Sequence, residues 1–140
     1  MQYDPIKKSL GTIFNNSPWL RTLFYRLLNL LLLRTWHVKK ALKRWIKDSP
    51  LPFRGGAGGG VCSRILDAGS GFGQYSYFLS NMSRHFHIDA VDVKEEQMED
   101  CNRFFNTVGI TNVQFAVADL TTYMKAGFYD LILAVDVMEH

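Results

Sequence analysis

The sequence predicts an α/β fold, a parallel sheet preceded by N-terminal helices, and three observations predict it. Four apolar stretches end at or just before an aspartate, at Asp67, Asp92, Asp119 and Asp136. Stretches with helical periodicity separate the first three. Between the first strand and the first of those helices lies a turn with glycine at alternate positions, Gly69, Gly71 and Gly73. The order β-α-β-α-β-α-β implies a parallel sheet with right-handed crossovers. In such sheets ligands bind at the carboxyl ends of the strands.

Along the chain, the first element is helical. Ser17-Pro18 supplies an N-cap and a proline at the first helical position. From Trp19 to Ile46 there is no acid. Trp19, Leu20, Leu23, Phe24, Leu27, Leu28, Leu31, Trp36, Leu42, Trp45 and Ile46 are the apolar positions, and Arg21, Arg26, Arg34, Lys39, Lys40, Lys43, Arg44 and Lys47 surround them. The uncharged run between Arg26 and Arg34 is 7 residues, where a membrane-spanning helix needs about 20. No cleavable signal sequence is expected, because charges interrupt every apolar stretch. Helices that pack on the sheet and keep their lysines in water are the first expectation. Peripheral membrane contact through residues 18–47, basic face toward anionic lipid, is the second. Nucleic acid is a third reading of the same charge and is not expected as a partner.

Asp48 to Gly60 contains two prolines and then five glycines in six positions, which predicts a flexible linker. No Gly-Lys-Ser/Thr follows, so it is not a phosphate loop. The expected organisation is a basic amphipathic helical segment over 1–50, a linker over 51–60 and a ligand-binding domain over 61–140.

The first strand, Ile65-Leu66-Asp67-Ala68, opens into Gly69-Ser70-Gly71-Phe72-Gly73 and a helix over Gln74 to Met82. A dinucleotide fingerprint G-x-G-x-x-G started at Gly69 needs glycine at position 74, which is Gln74. This spacing disfavours an NAD(P)-dependent oxidoreductase, which stays as the alternative enzyme class. His85 to Asp92 reads as the second strand. Its terminal Asp92 lies 19 residues after Gly73, the place for an acid that accepts from ribose hydroxyls. Glu95 to Val108 reads as a helix with Met98, Cys101, Phe104, Phe105 and Val108 on one face. Glu95 and Glu96 sit where the macrodipole favours them, and Gly109 follows as a C-cap. Val113 to Asp119 reads as the third strand, Thr121 to Ala126 as a connector and Phe128 to Val135 as the fourth strand, before Asp136-Val137-Met138-Glu139-His140.

Together these stretches resemble the class I S-adenosylmethionine (SAM) dependent methyltransferases, from the Asp67-x-Gly-x-Gly-x-Gly motif to Asp136-Val137-Met138-Glu139-His140. The resemblance implies a Rossmann-like core, of which Ile65 to His140 supplies the first four strands. It implies that Asp67, Ala68, Gly69, Ser70, Gly71 and Gly73 pass under the methionine and ribose part of SAM, with Asp67 near its cationic amino-acid end. It puts Asp92 on the ribose, Val93 against the adenine face, Asp119 on the adenine amino group with the Leu120 backbone nearby, and Asp136 beside the methyl-transfer site. The N-terminal helices then become a lid over the cofactor. The family's sheet has seven strands, so the domain is expected to be truncated. Its substrate half is then missing, its fourth-strand edge is open to self-association, and the chain alone has no turnover. No general base is assigned; Asp136 and His140 are candidates by position only.

Net charge divides unevenly. Residues 1–64 hold 12 Lys and Arg against Asp4 and Asp48, and residues 65–140 hold 4 against 11 acids. Cys62 and Cys101 are too few for a disulfide framework or a cysteine zinc site, and suit a reducing cytoplasm as buried thiols. Asp136, Glu139 and His140 have the spacing of a partial metal site found in a minority of methyltransferases, but no metal is expected. The expected function is methyl transfer from SAM to a small-molecule or lipid-like acceptor. A non-catalytic SAM-binding or membrane-associated module is the alternative from another class.

Overall fold

The computed structural model describes residues 18–31, 33–48, 63–123 and 126–135, and the chain divides into two compact units, Met1–Pro50 and Leu51–His140. Ser17, Cys62, the 51–60 linker and Asp136 to His140 lie outside the described residues.

The first unit holds α1 (Pro18–Leu31) and α2 (Leu33–Asp48). Pro18 is the first helical residue, and its carbonyl accepts from Thr22 Oγ1 at 3.0 Å. The burial here differs from the sequence expectation. Arg21 is buried, and its Nε donates to the buried Tyr25 hydroxyl at 3.3 Å. Trp19, Leu23, Leu27 and Trp36 are exposed. A guanidinium with a long apolar stem can be buried when its head finds an acceptor, so charge alone misplaced Arg21. Lys40 Nζ lies 4.9 Å from the Trp36 ring centroid. Burial, and then Lys43, hold Lys39 below the usual lysine range. No helix among the described residues is long and apolar enough to cross a membrane.

The second unit is a parallel sheet of β1 (Ser63–Ala68), β2 (Phe86–Asp92), β3 (Val113–Val117) and β4 (Leu131–Ala134), in the order β3-β2-β1-β4. Helix α3 (Gln74–Met82) connects β1 to β2, and α4 (Glu95–Thr107) connects β2 to β3. Register aligns Ile65 with Ile88 and Leu131, and Ile88 with Val113. Side chains alternate along each strand. One face therefore presents Ile65, Asp67, Ile88, Ala90 and Phe115, and the two helices cover it. Phe86, Ile88, Ala90, Leu79, Met98, Cys101, Phe104 and Phe105 are buried. Phe105 meets Phe115 edge-on at 4.8 Å and Tyr77 at 6.0 Å. On the other face, Leu66, Ala68 and Val91 are covered by Ala118, Leu120, Tyr123 and Tyr129. There Tyr129 donates to Asp89 Oδ2 at 2.6 Å and meets the Tyr123 hydroxyl at 2.9 Å. Burial and the Asp89 carboxylate push the Tyr129 phenol far up.

Several boundaries differ from the sequence expectation, β1 beginning at Ser63 rather than Ile65 and β2 at Phe86 rather than His85. Strand β4 starts at Leu131 rather than Phe128. The Arg64 N–H donates to Asp130 Oδ2 and the Asp130 N–H to the Arg64 carbonyl, both at 2.8 Å. The Arg64 guanidinium stacks on Phe128 at 4.1 Å. Strand β3 ends at Val117, two residues before Asp119, which instead opens a turn. Val108 is exposed, because the helix ends at Thr107 and Gly109 turns away at φ +75°.

Candidate functional site

All four strands run the same way, so the turns after β1, β2 and β3 share one edge of the sheet. In the β1 turn the backbone N–H groups of Gly69, Ser70, Gly71 and Gly73 all donate hydrogen bonds. The N–H groups of Gly69 and Ser70 both reach the Val91 carbonyl, at 2.8 and 3.1 Å. Gly73 N–H returns to the Ser70 carbonyl at 2.9 Å, and Tyr77 N–H reaches the Gly73 carbonyl at 2.8 Å to start α3. Gly71 N–H donates to Asp92 Oδ2 at the end of β2, at 2.9 Å. Beneath, Ser70 Oγ lies 3.7 Å from Met98 Sδ, and Cys101 Sγ lies 3.6 Å from the Gly71 carbonyl.

The glycines serve different needs. Gly71 has φ +52°, and a Cβ there would meet nothing within 4 Å, so the turn leaves open space beside it. Gly73 has φ +73°, and a Cβ would come within 3.3 Å of Phe105 Cε2 and 3.4 Å of Cys101 Sγ. The left-handed backbone favours glycine there, and a Cβ would sit tightly against α4.

Asp92 is half-exposed. Its Oδ1 accepts the Lys94 N–H at 3.1 Å while Oδ2 accepts from Gly71. An ionised carboxylate offers about four acceptor positions, so each oxygen retains one for a ligand hydroxyl. Asp67 is different. It is buried, and its Oδ2 accepts Ser76 Oγ–H at 2.6 Å. Burial pushes its carboxyl up to about 6, the Ser76 side-chain and backbone bonds oppose that, and Asp92 adds to it. Asp119 is exposed; its Oδ1 accepts from Thr121 N–H at 2.8 Å and Thr121 Oγ at 2.7 Å, which holds it below the usual carboxylate range. Val93 is exposed and Leu120 half-buried on the Leu66–Ala68–Val91 cluster.

The structure thus brings Asp67, Ala68, Gly69, Ser70, Gly71, Gly73 and Asp92 together around one turn, with Val93 and the Asp119–Leu120 turn along the same edge. Asp136 and His140 lie outside the described residues. Among the described residues no cluster of histidine, cysteine and acids could hold a metal ion. Ser76 is the site residue missed from sequence. Its only signal is a hydroxyl in the first turn of a helix whose N-cap, Gly73, brings no side-chain cap.

Residues 65–140, just over half of the chain, match the methyltransferase domain family. The chain belongs to that family. It contains part of a class I SAM-dependent methyltransferase domain, and the oxidoreductase alternative falls away. Over 76 residues it is 32% identical to (S)-coclaurine N-methyltransferase of Papaver somniferum, covering 54% of this chain and 22% of that protein. Over 76 residues it is 29% identical to probable (S)-tetrahydroprotoberberine N-methyltransferase 2 of Papaver bracteatum, covering 54% and 21%. The chain therefore spans about a fifth of the length of these relatives. Among solved structures, coclaurine N-methyltransferase bound to N-methylheliamine and SAH superposes with a TM-score of 0.51 at 22% identity, over 66% of this chain and 25% of that one. A putative sarcosine dimethylglycine methyltransferase from Galdieria sulphuraria gives 0.54 at 19% identity, over 70% and 35%. At these identities the superpositions speak for the methyltransferase fold alone.

Proposed function

We propose that the turn from Asp67 to Gly73, with Asp92, Val93, Asp119 and Leu120, binds SAM, and that the protein transfers its methyl group to a small-molecule amine. The Gly71–Asp92 hydrogen bond carries this reading. It closes the glycine turn onto an acid that still has one acceptor position on each oxygen, the arrangement that two vicinal ribose hydroxyls require. The open space at Gly71 and the neighbouring Asp67 and Asp92 carboxylates also suit a nucleoside with a cationic tail. The amine is carried over from the names of the relatives, which are N-methyltransferases.

SAM supplies a methyl group already activated by a sulfonium. The task left to the chain's own residues is to orient and to exclude water. Asp92 fixes the ribose, the Gly69–Gly73 backbone lies against the chain beyond it, and Asp119 with Leu120 limits the far end. The helical unit (1–50), linker (51–60) and cofactor domain (61–140) are proposed to work in the cytoplasm. Trp19, Leu23 and Leu27 recur on one exposed stripe of α1 beside the exposed Arg26, which supports peripheral contact with anionic lipid.

Calorimetry tests the cofactor reading: S-adenosylhomocysteine should bind and NAD should not, and NAD binding the tighter of the two would overturn it. Sedimentation with anionic vesicles, released by salt, tests the lipid contact; absence of binding at low salt would remove it.

A further inference from the structure

Ser76 has no place in the sequence motif, yet it makes the shortest bond around the glycine turn. Its hydroxyl and its backbone N–H both serve the Asp67 carboxylate. Ser76 is itself fully buried, and it is the third residue of α3, whose N-cap offers no side-chain acceptor. The strand-end carboxylate therefore occupies the position that a capping side chain would take, and the turn is enclosed between the two residues.

Among the described residues, the surroundings give that carboxylate no cation of its own. Helix α3 carries only Tyr75 and Tyr77 as titratable groups, and β4 carries none. On β2, Asp92 acts on it and is of like charge, while His87 and Asp89 belong to the opposite face. On α4, Glu95, Glu96, Glu99 and Arg103 are exposed, and Asp100 pairs with Arg103. A buried charge is screened far less than an exposed one, so an anion at Asp67 acts strongly on whatever lies over the turn.

We propose that Ser76 is a positioning residue for the charged end of the cofactor: through its bonds to Asp67 it keeps an anion beneath the glycine turn, complementary to a cationic amino-acid group. This rests on the SAM reading above. Protonating Asp67 removes the anion, and losing the Ser76 bonds makes protonation easier. The ammonium of the cofactor's amino-acid part should feel both changes. The adenosine part should feel neither.

The test is calorimetry on the full chain between pH 5.5 and 8.5, with S-adenosylhomocysteine and with 5′-methylthioadenosine, which lacks the amino-acid part. Wild-type affinity for S-adenosylhomocysteine should fall as pH drops through about 6. In Ser76→Ala that fall should move up by about one pH unit, giving a severalfold loss near pH 6.5 that closes by pH 8.5. Ser76→Thr should restore the wild-type profile, and methylthioadenosine should bind all three proteins alike. Should the alanine variant fail to fold, Ser76→Cys, a weaker donor of similar volume, takes its place with the same expected direction. A loss equal at all pH values, or equal for both ligands, would overturn the proposal and leave Ser76 a helix-supporting residue. Superimposable wild-type and variant profiles would also overturn it. A wild-type protein that takes NAD and neither adenosyl ligand would overturn the SAM reading, and the role of Ser76 with it.

Discussion

Asp92 ends β2 and Asp119 stands two residues beyond the end of the neighbouring β3, yet they are held in opposite ways. Asp92 accepts from Gly71, 21 residues away, and so joins the β1 turn to β2. Asp119 accepts from Thr121 within its own turn and is exposed. Beneath the first half of the site lie Met98, Cys101 and Phe105, all buried. Beyond β3 only half-buried Ala118, Leu120 and Tyr123 join the cluster on the other face. A site can thus combine a half that belongs to the core with a half that folds locally. Changes in the first half should cost stability and affinity together, and changes in the second should cost affinity alone.

The largest test of that contrast is Phe105→Ala. This ring is buried, touches Phe115 and stands against Gly73, so its loss should cost about 3–5 kcal/mol in denaturant unfolding. A cost near that of a surface change would break the link between α4 and the turn. Next is the pH dependence of stability. The Asp67 carboxyl is raised from 3.8 to about 6 in the fold, so the folded state holds its proton more tightly than the unfolded one. Its contribution is fully present below pH 3.8 and is lost as pH rises through about 6, on the order of 2–3 kcal/mol. Asp67→Asn should remove that slope, and an unchanged slope would place the titration elsewhere.

Asp92→Ala should weaken S-adenosylhomocysteine binding by about 1.5–3 kcal/mol and lower the unfolding midpoint as well. Unchanged affinity would take Asp92 out of the site. Asp119→Ala is expected to be the mildest: affinity falls less than for Asp92→Ala, and the unfolding curve does not move. If Asp119→Ala shifts both as much as Asp92→Ala does, the two halves are not built differently after all.

The sequence made the sheet legible because each strand is an apolar run and the helix over 95–107 buries the Met98, Cys101, Phe104 and Phe105 positions that periodicity selects. The glycine turn was legible because alternate glycines are costly without a backbone reason, and all three have positive φ. What escaped depends on side-chain and backbone hydrogen bonds that apolar periodicity does not encode. The start of β4 is decided by Arg64 and Asp130, 66 residues apart. Ser76 looks like any serine in a short helix until Asp67 is seen beside it. Arg21 carries the charge of a surface residue, yet it is buried with its Nε donating to Tyr25.

The shared Val91 carbonyl has one more consequence. Because it receives two amides of the turn, that turn should open only when β2 itself opens. Its amides should then exchange with deuterium at the pace of the sheet, even without ligand. Ordering a slack turn of this length, Gly69 to Gly73, would cost about 5–10 kcal/mol of conformational entropy at the moment of binding. Here folding has already met that cost, and a ligand arriving at the strand ends finds the shape waiting.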